Sequence, residues 1–200
     1  MIKLTDKKII GLVGMSGAGK STVCRLFEES GYTIIDCDMV SREVVQIGCA
    51  SLAELANELS PDIILPDGSL DRRRTAEIIF NDDEKRALFN RIIYPYITYN
   101  VISKIKSTET DVLLDAPTLF DARLDGICDS IVSVCADIGI CTQRIMSRDG
   151  IDETMARARL SSQHDVSWYR ERSDFCILNN GTENELFTAA SDVIRQLKGN

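Results

Sequence analysis

The chain has 200 residues, 44% of them hydrophobic, with 23 lysines and arginines against 31 aspartates and glutamates and a formal net charge of −8. This length is typical of one domain with a full core. The acidic balance argues against duplex nucleic acid as a partner, although local charge can still bind a small anion. No apolar stretch approaches a membrane span, and the run at residues 9–13 is too short for a secretion signal. We therefore expect a cytoplasmic protein with no membrane partner.

The predicted elements of the first half are a strand, a helix, a second strand and then a series of helices. Apolar runs predict the strands, and a 3.6-residue period predicts the helices. Gly31 is placed to end the first helix, and Asp36 closes the second strand. Pro95 is expected to bend or split the last helix. The predicted bounds are 9–13 and 32–35 for strands, 21–30, 39 to about 59, 71–80 and 83–106 for helices, and 61–68 for a turn.

The second half alternates strands and helices. Strands are predicted at 112–114, 130–134 and 175–178, and helices at 138–148, 152–163 and 183–197. Continuous apolar strands separated by helices are typical of a parallel sheet covered on both faces. The sequence therefore predicts an α/β fold, a three-layer α/β/α arrangement around a five-stranded parallel sheet.

Seven cysteines and a single histidine offer little for a metal centre. The cysteine count is odd and no C-x-x-C occurs, so we do not expect a zinc site. Free cysteine is among the most buried residue types. We interpret most of these cysteines as small core residues of a reduced protein.

The stretch GMSGAGKS, residues 14–21, lies between the first strand and the first helix and matches G-x-x-x-x-G-K-[ST]. Glycines let successive backbone N–H groups face phosphate oxygens, and the helix adds its positive end. Lys20 can reach the β- and γ-phosphates, and Ser21 can bind Mg²⁺. A glycine turn alone would explain neither residue. We predict nucleotide binding, with ATP and Mg²⁺, by Gly14, Ser16, Gly17, Ala18, Gly19, Lys20, Ser21 and Thr22.

Asp115, at the end of the third strand, resembles a Walker B aspartate that holds Mg²⁺ with Ser21. The alternative is a strand that simply ends in a polar residue. Ala116 and Pro117 follow, where many ATPases place a water-activating glutamate, and this favours transfer to a bound acceptor over hydrolysis. A GTP-dependent switch is disfavoured because neither N-K-x-D nor D-x-x-G occurs. An ATPase subunit of an assembly is disfavoured by the short chain.

After the P-loop, a series of short stretches follows along nearly the whole chain. They are IDCD at 35–38, REVV at 42–45, ILPDGSLDR at 64–72, IF at 79–80, YP at 94–95, LDAPTLFD at 114–121, RIMSRDG at 144–150, ARL at 158–160 with Gln163, and SD at 173–174 before NNG at 179–181. Taken in this order, they resemble the bacterial dephospho-CoA kinase family. Because the match covers nearly the whole chain, the resemblance is more specific than the P-loop alone.

The resemblance implies a kinase that phosphorylates the ribose 3′-hydroxyl of dephospho-CoA with MgATP, in the last step of CoA synthesis. Its partners are then these two small molecules, and we expect a monomer or weak homo-oligomer. It also implies three parts. These are a core of residues 1–39, 108–143 and 164–200, a helical CoA-binding insertion of about 40–107, and a lid of about 144–163.

The resemblance also implies roles for individual side chains. Asp38 is the candidate base for the acceptor hydroxyl, and Asp36 holds the loop or a metal-bound water. Arg144, Arg148 and Arg159 stabilise the transferring phosphoryl group when the lid closes, together with Lys20 of the P-loop. Arg144 and Arg159 are also assigned to nucleotide binding, as is Asn179, which follows the fifth strand in a loop near the adenine.

Three positions depart from the family pattern, mostly in the acceptor-binding half. Tyr94 stands for the usual histidine, Asp121 for the usual glutamate, and Thr75 for a commonly apolar residue. The alternative interpretation is therefore a related P-loop kinase of another small hydroxyl acceptor, such as a nucleoside or nucleotide.

Overall fold

The structure, a computed structural model, describes residues 5–199. The described residues form two compact units. The first combines Met1–Ile34 with Thr108–Asn200, and the second is Ile35–Ser107. The strands are β1 Ile9–Gly14, β2 Thr33–Asp36, β3 Val112–Asp115, β4 Ser130–Cys135 and β5 Phe175–Leu178. The helices are α1 Lys20–Glu29, α2 Cys37–Glu43, α3 Ala50–Glu58, α4 Arg72–Phe80, α5 Asp83–Ser107, α6 Ile138–Asp149, α7 Glu153–Ser161, α8 Val166–Glu171 and α9 Glu183–Gly199.

The five strands form one sheet in the order β2–β3–β1–β4–β5, and this confirms the predicted parallel α/β fold. Consecutive residues of a strand face opposite sides of a sheet, and Ile9 to Val13 are all buried. Both faces of the sheet are therefore covered. In the parallel register Leu12 is paired with Asp115 and Gly14 with Val134, so the carboxyl ends of β1, β3 and β4 meet at one edge.

Three aspartates bind backbone N–H groups near the opposite edge of the sheet. Asp111 accepts from Lys8 N–H at 2.8 Å and Asp129 from Ile9 N–H at 2.8 Å. Asp174 accepts from Ile131 N–H at 2.7 Å. The side chains satisfy donors that would otherwise lack a partner at the start of a strand.

The second unit is built on the 25-residue helix α5, against which α2, α3 and α4 pack. The expected single helix from 39 to about 59 is wrong. The chain forms α2 and α3 instead, because Gly48 adopts φ of +88°, which a helix cannot contain. The expectation that Pro95 bends or splits the last helix is wrong as to a split, since α5 continues through this residue. Arg91, four residues earlier, is exposed, so its carbonyl can bond to water.

Thr75 shows how this unit tolerates a polar residue at a commonly apolar position. Its side chain is buried, with 4% of its surface exposed. The hydroxyl donates to the carbonyl of Asp71 at 2.7 Å within α4. A buried hydroxyl with a partner costs little, so this departure is compatible with a packed unit.

None of the seven cysteines, all of which lie within residues 5–199, forms a disulfide, and Cys37, Cys128, Cys135 and Cys141 are buried, as expected for small core residues. Over residues 5–199, no helix has both the length and the apolar character needed to cross a membrane.

Candidate active site

The loop between β1 and α1 can be built only with glycine at three positions. A Cβ on Gly14 would overlap the carbonyl oxygen of Val134. Gly17 and Gly19 adopt φ of +77° and +98°, in the left-handed region that other residues avoid. A Cβ on Gly17 would also lie 2.8 Å from Cys141 O. The loop therefore packs closely against β4 and α6.

The backbone of this loop is held from outside by three side chains. Ser16 N–H donates to Gln163 Oε1 at 2.9 Å, Arg144 Nη1 donates to Gly17 O at 3.3 Å, and Asn179 Nδ2 donates to Ala18 O at 2.8 Å. By contrast, the N–H groups of Gly17 and Gly19 donate to no acceptor between residues 5 and 199. The N–H groups of Lys20 and Ser21, which open α1, likewise donate to no acceptor in this part of the chain. Such a set is suited to phosphate oxygens.

Lys20 and Asp115 form an ion pair beside the loop. Lys20 opens α1 and Asp115 ends β3, and about a fifth of each side chain is exposed. Ser21, also in the first turn of α1, is exposed. A hydroxyl and a carboxylate are ligands that Mg²⁺ accepts together with water and substrate phosphates. Ser21 and Asp115 therefore fit a magnesium ion that a nucleotide would bring.

The arginines of the proposed lid have two different environments. Arg144 is half-buried and turns to the loop, where it also donates to Asn179 O at 3.2 Å. Arg148 is exposed and donates to Asp149 at 2.7 Å. Arg159 forms a second ion pair with Asp149. The structure thus places Arg144 at the loop, with Arg148 and Arg159 together on Asp149.

The carboxyl group of Asp149 should remain ionised at every pH above about 4. Its hydrogen bond with Arg148, and then that with Arg159, lowers the pKa of this carboxyl to about 2. An ordinary aspartate has a pKa of about 3.9. The stabilisation by these pairs is therefore fully present above about pH 4 and is lost as the pH falls through about 2. A carboxyl ¹³C titration of Asp149 should show a midpoint near 2. An ordinary midpoint would contradict the arrangement.

Two buried thiols lie close to the loop. Burial raises the pKa of Cys135 to about 12, with a further contribution from Cys176 on the neighbouring strand. Burial also raises the pKa of Cys141. Both thiols therefore stay protonated at neutral pH, and they are packing residues rather than nucleophiles.

Asp38 lies in the second unit, as the second residue of α2, and is exposed. Asp36 caps this helix by accepting from Met39 N–H at 2.9 Å. Asp36 therefore fixes the start of the helix that carries Asp38.

Sequence reasoning missed two features of the first unit. No role was assigned to Gln163, although it stands in one of the stretches compared above. His164 was given no role either, and its exposed ring stacks on Trp168 with centroids 3.7 Å apart. Trp168 lies on α8, a short helix that was not expected. The sequence feature that could have indicated this helix is Asp165, which caps α8 by accepting from Trp168 N–H at 2.8 Å.

The parallel sheet, the glycine loop and the Lys20–Asp115 pair define the class of P-loop kinases. The profile of the dephospho-CoA kinase family (CoaE) matches residues 8–185. The chain belongs to this family, whose members phosphorylate dephospho-CoA in the last step of CoA biosynthesis.

Individual relatives agree with this assignment. A protein of Oryza sativa subsp. japonica named dephospho-CoA kinase is 33% identical over 195 residues, covering 95% of this chain and 84% of that protein. One of the same name from Enterococcus faecalis is 33% identical over 181 residues, covering 89% and 91%. A crystal structure of a Thermus thermophilus protein superposes with a TM-score of 0.82 at 27% identity, covering 96% of this chain and 99% of that one.

Proposed function

We propose that this chain transfers the γ-phosphoryl group of ATP to the ribose 3′-hydroxyl of dephospho-CoA, giving CoA and ADP. The observation that supports this most directly is the Lys20–Asp115 pair beside a loop with unsatisfied N–H groups. Family membership supports the identity of the acceptor. Ala116, buried after Asp115, leaves no carboxylate at that position to activate water, which favours an acceptor over hydrolysis.

In this proposal the P-loop and its surroundings bind the triphosphate. The N–H groups of Gly17 and Gly19, together with those of Lys20 and Ser21 at the start of α1, bind phosphate oxygens. Lys20 stabilises the charge that develops on the transferring group. Ser21 and Asp115 would hold Mg²⁺, which supplies charge neutralisation on the β- and γ-phosphates when it is bound. Arg144, already at the loop, adds a further cation.

Residues 144–163 act as a lid over the nucleotide in the same proposal. Arg159 is available for this task because its pair with Asp149 lies at the surface. Exposed ion pairs contribute at most about 1 kcal/mol, so a phosphate can replace the carboxylate. Asn179 is 95% buried, and its hydrogen bond to Ala18 O holds the loop in shape. The acceptor is bound by the insertion of about 40–107.

Asp38 is the proposed base of the transfer. It accepts the proton of the 3′-hydroxyl as the oxygen forms its bond to the γ-phosphorus. The bond from that phosphorus to the bridging oxygen breaks, and ADP leaves with the electron pair. The proton on Asp38 then passes to solvent, which its exposed position allows.

ADP release tests the proposal. The assay contains MgATP with dephospho-CoA, pantetheine or one of several nucleosides and nucleotides, and a control without acceptor. We expect rapid release with dephospho-CoA and slow release in the other reactions. A nucleoside or nucleotide that gives the larger kcat/KM would establish the alternative acceptor class and contradict the proposal.

Exchanging Tyr94 for the family's usual histidine should change acceptor binding alone. Tyr94 is a half-buried residue of α5, in the unit proposed to bind the acceptor. The exchange shortens the side chain and introduces a group that titrates near neutral pH. We expect Tyr94→His to change KM for dephospho-CoA and leave KM for ATP within about twofold, as expected when only acceptor binding changes. Tyr94→Phe, which keeps the ring, is the control. A KM shift for ATP alone would contradict this assignment.

A further inference from the structure

Gln163 uses both polar ends of its side-chain amide on one residue of the P-loop. Ser16 N–H donates to Gln163 Oε1 at 2.9 Å, and Gln163 Nε2 donates to Ser16 Oγ at 2.7 Å. The two residues are 147 positions apart, so the contact depends on the tertiary structure. An amide carries a donor and an acceptor on one rigid plane. Its two-point contact therefore fixes the peptide of Ser16 as well as its hydroxyl.

The segment that carries Gln163 is itself anchored to the sheet. Gln163 N–H donates to Leu160 O at the end of α7. Two residues later Asp165 caps α8, which packs against β4 and β5. Trp168 of α8 also meets the ring of Phe120 edge-on, with centroids 5.0 Å apart. The sheet therefore determines the position of the Gln163 side chain.

The contact also divides the donors of the loop into two groups. The N–H of Ser16 donates to Gln163 Oε1, whereas the N–H groups of Gly17 and Gly19 donate to no acceptor in the described part of the chain. The N–H of Ser16 is thus used for support, and those of the two glycines are available for phosphate. A loop with several rotatable glycines needs such support, because the catalytic value of a donor depends on its being aligned in advance.

We propose that Gln163 is a positioning residue for phosphoryl transfer, which acts through Ser16. It holds the loop in the form whose N–H groups and Lys20 can face the phosphates. It also couples the end of α7, which carries Arg159, to that loop. The inference deepens the function proposed above, since it concerns the same site.

The test compares Gln163→Met, which keeps the length of the side chain and removes both hydrogen bonds, with Gln143→Met as a matched control. Gln143 is an exposed residue of α6.

Two neutral hydrogen bonds expressed in the transition state correspond to about 10- to 30-fold in rate. We expect kcat of Gln163→Met to fall by about this factor, with KM for dephospho-CoA within about twofold of the parent. We also expect weaker binding of an ATP analogue, because the phosphate-facing N–H groups of the loop lose their alignment. The control should match the parent in all three quantities.

A second variant separates positioning from a general loss of stability. Ser16→Ala removes the hydroxyl and keeps the N–H bond, so it should lower kcat less than Gln163→Met does. The double variant should lower kcat by less than the product of the two single effects, because both act through one contact. Thermal unfolding of each variant shows whether it is folded at the assay temperature.

The outcomes distinguish this inference from the proposed function. A folded Gln163→Met with kcat and analogue binding within twofold of Gln143→Met, or effects that multiply independently with Ser16→Ala, would overturn the positioning role. A parent protein that releases no ADP with dephospho-CoA would overturn the proposed acceptor. In that case analogue binding by the same variants still tests Gln163, with parent-like affinity as the contradicting result. Should Gln163→Met not fold, Ser16→Ala decides, and an unchanged kcat in that variant overturns the inference.

Discussion

Replacing Lys20 by alanine is expected to lower kcat by about 100-fold or more while the protein stays folded. Lys20 opens α1 beside the glycine loop and pairs with Asp115. Removing one preorganised group that stabilises developing charge costs about 3–4 kcal/mol in the transition state. The pair is partly exposed, so its loss should affect folding far less than catalysis.

The measurement is a set of saturation curves for both substrates, with circular dichroism to verify the fold. Lys106→Ala is the matched control, because Lys106 is an exposed lysine in the last turn of α5. It removes the same charge without touching the loop, and its kcat should equal that of the parent. A folded Lys20→Ala variant that keeps near-normal turnover would rule out the role given to Lys20.

Replacing Asp38 by asparagine should be the second large effect, with kcat lower by about 10² to 10⁴ and ATP affinity nearly unchanged. This is the range typical of a lost general base. Asparagine has almost the same shape but cannot take up the proton. The effect should therefore appear in kcat at saturating concentrations of both substrates.

Asp36→Asn is the sharpest comparison for this variant. Asp36 lies two residues away and caps α2, and asparagine caps a helix as well as aspartate does. It removes one charge from the same turn while the helix start is preserved, so we expect a much smaller loss of kcat than in Asp38→Asn. If Asp38→Asn instead greatly weakens ATP binding but keeps a normal kcat at saturating ATP, the carboxylate belongs to the metal site. If Asp36→Asn shows the larger loss of kcat, the base has been assigned to the wrong residue.

Much of the first unit could be predicted because its signals are local. An apolar run ending at Gly14 and another ending at Asp115 identify neighbouring parallel strands, whose carboxyl ends must meet at one edge. The glycine–lysine–serine pattern between β1 and α1 then indicates phosphate binding from spacing alone. The structure adds why glycine is required at Gly14, where the backbone of β4 leaves no room for a Cβ.

The features that were not predicted depend on contacts between distant residues or on single backbone angles. Gln163, Arg144 and Asn179 each form a hydrogen bond with a residue of the loop. In every case the two partners are more than one hundred positions apart in the sequence. Periodicity continues across residues 39–59, but one positive φ at Gly48 separates two helices. The split considered at Pro95 does not occur, because a helix of 25 residues tolerates one missing N–H.

The most direct test of the central claim is the position of the transferred phosphate. The enzyme is incubated with dephospho-CoA and ATP labelled with ¹⁸O in the γ-phosphoryl group, and the product is analysed by mass spectrometry and ³¹P NMR. The account predicts one labelled phosphate per acceptor, on the ribose 3′-oxygen, with an equal amount of ADP. Labelled inorganic phosphate formed equally well without acceptor, or a label on any other hydroxyl, would contradict it.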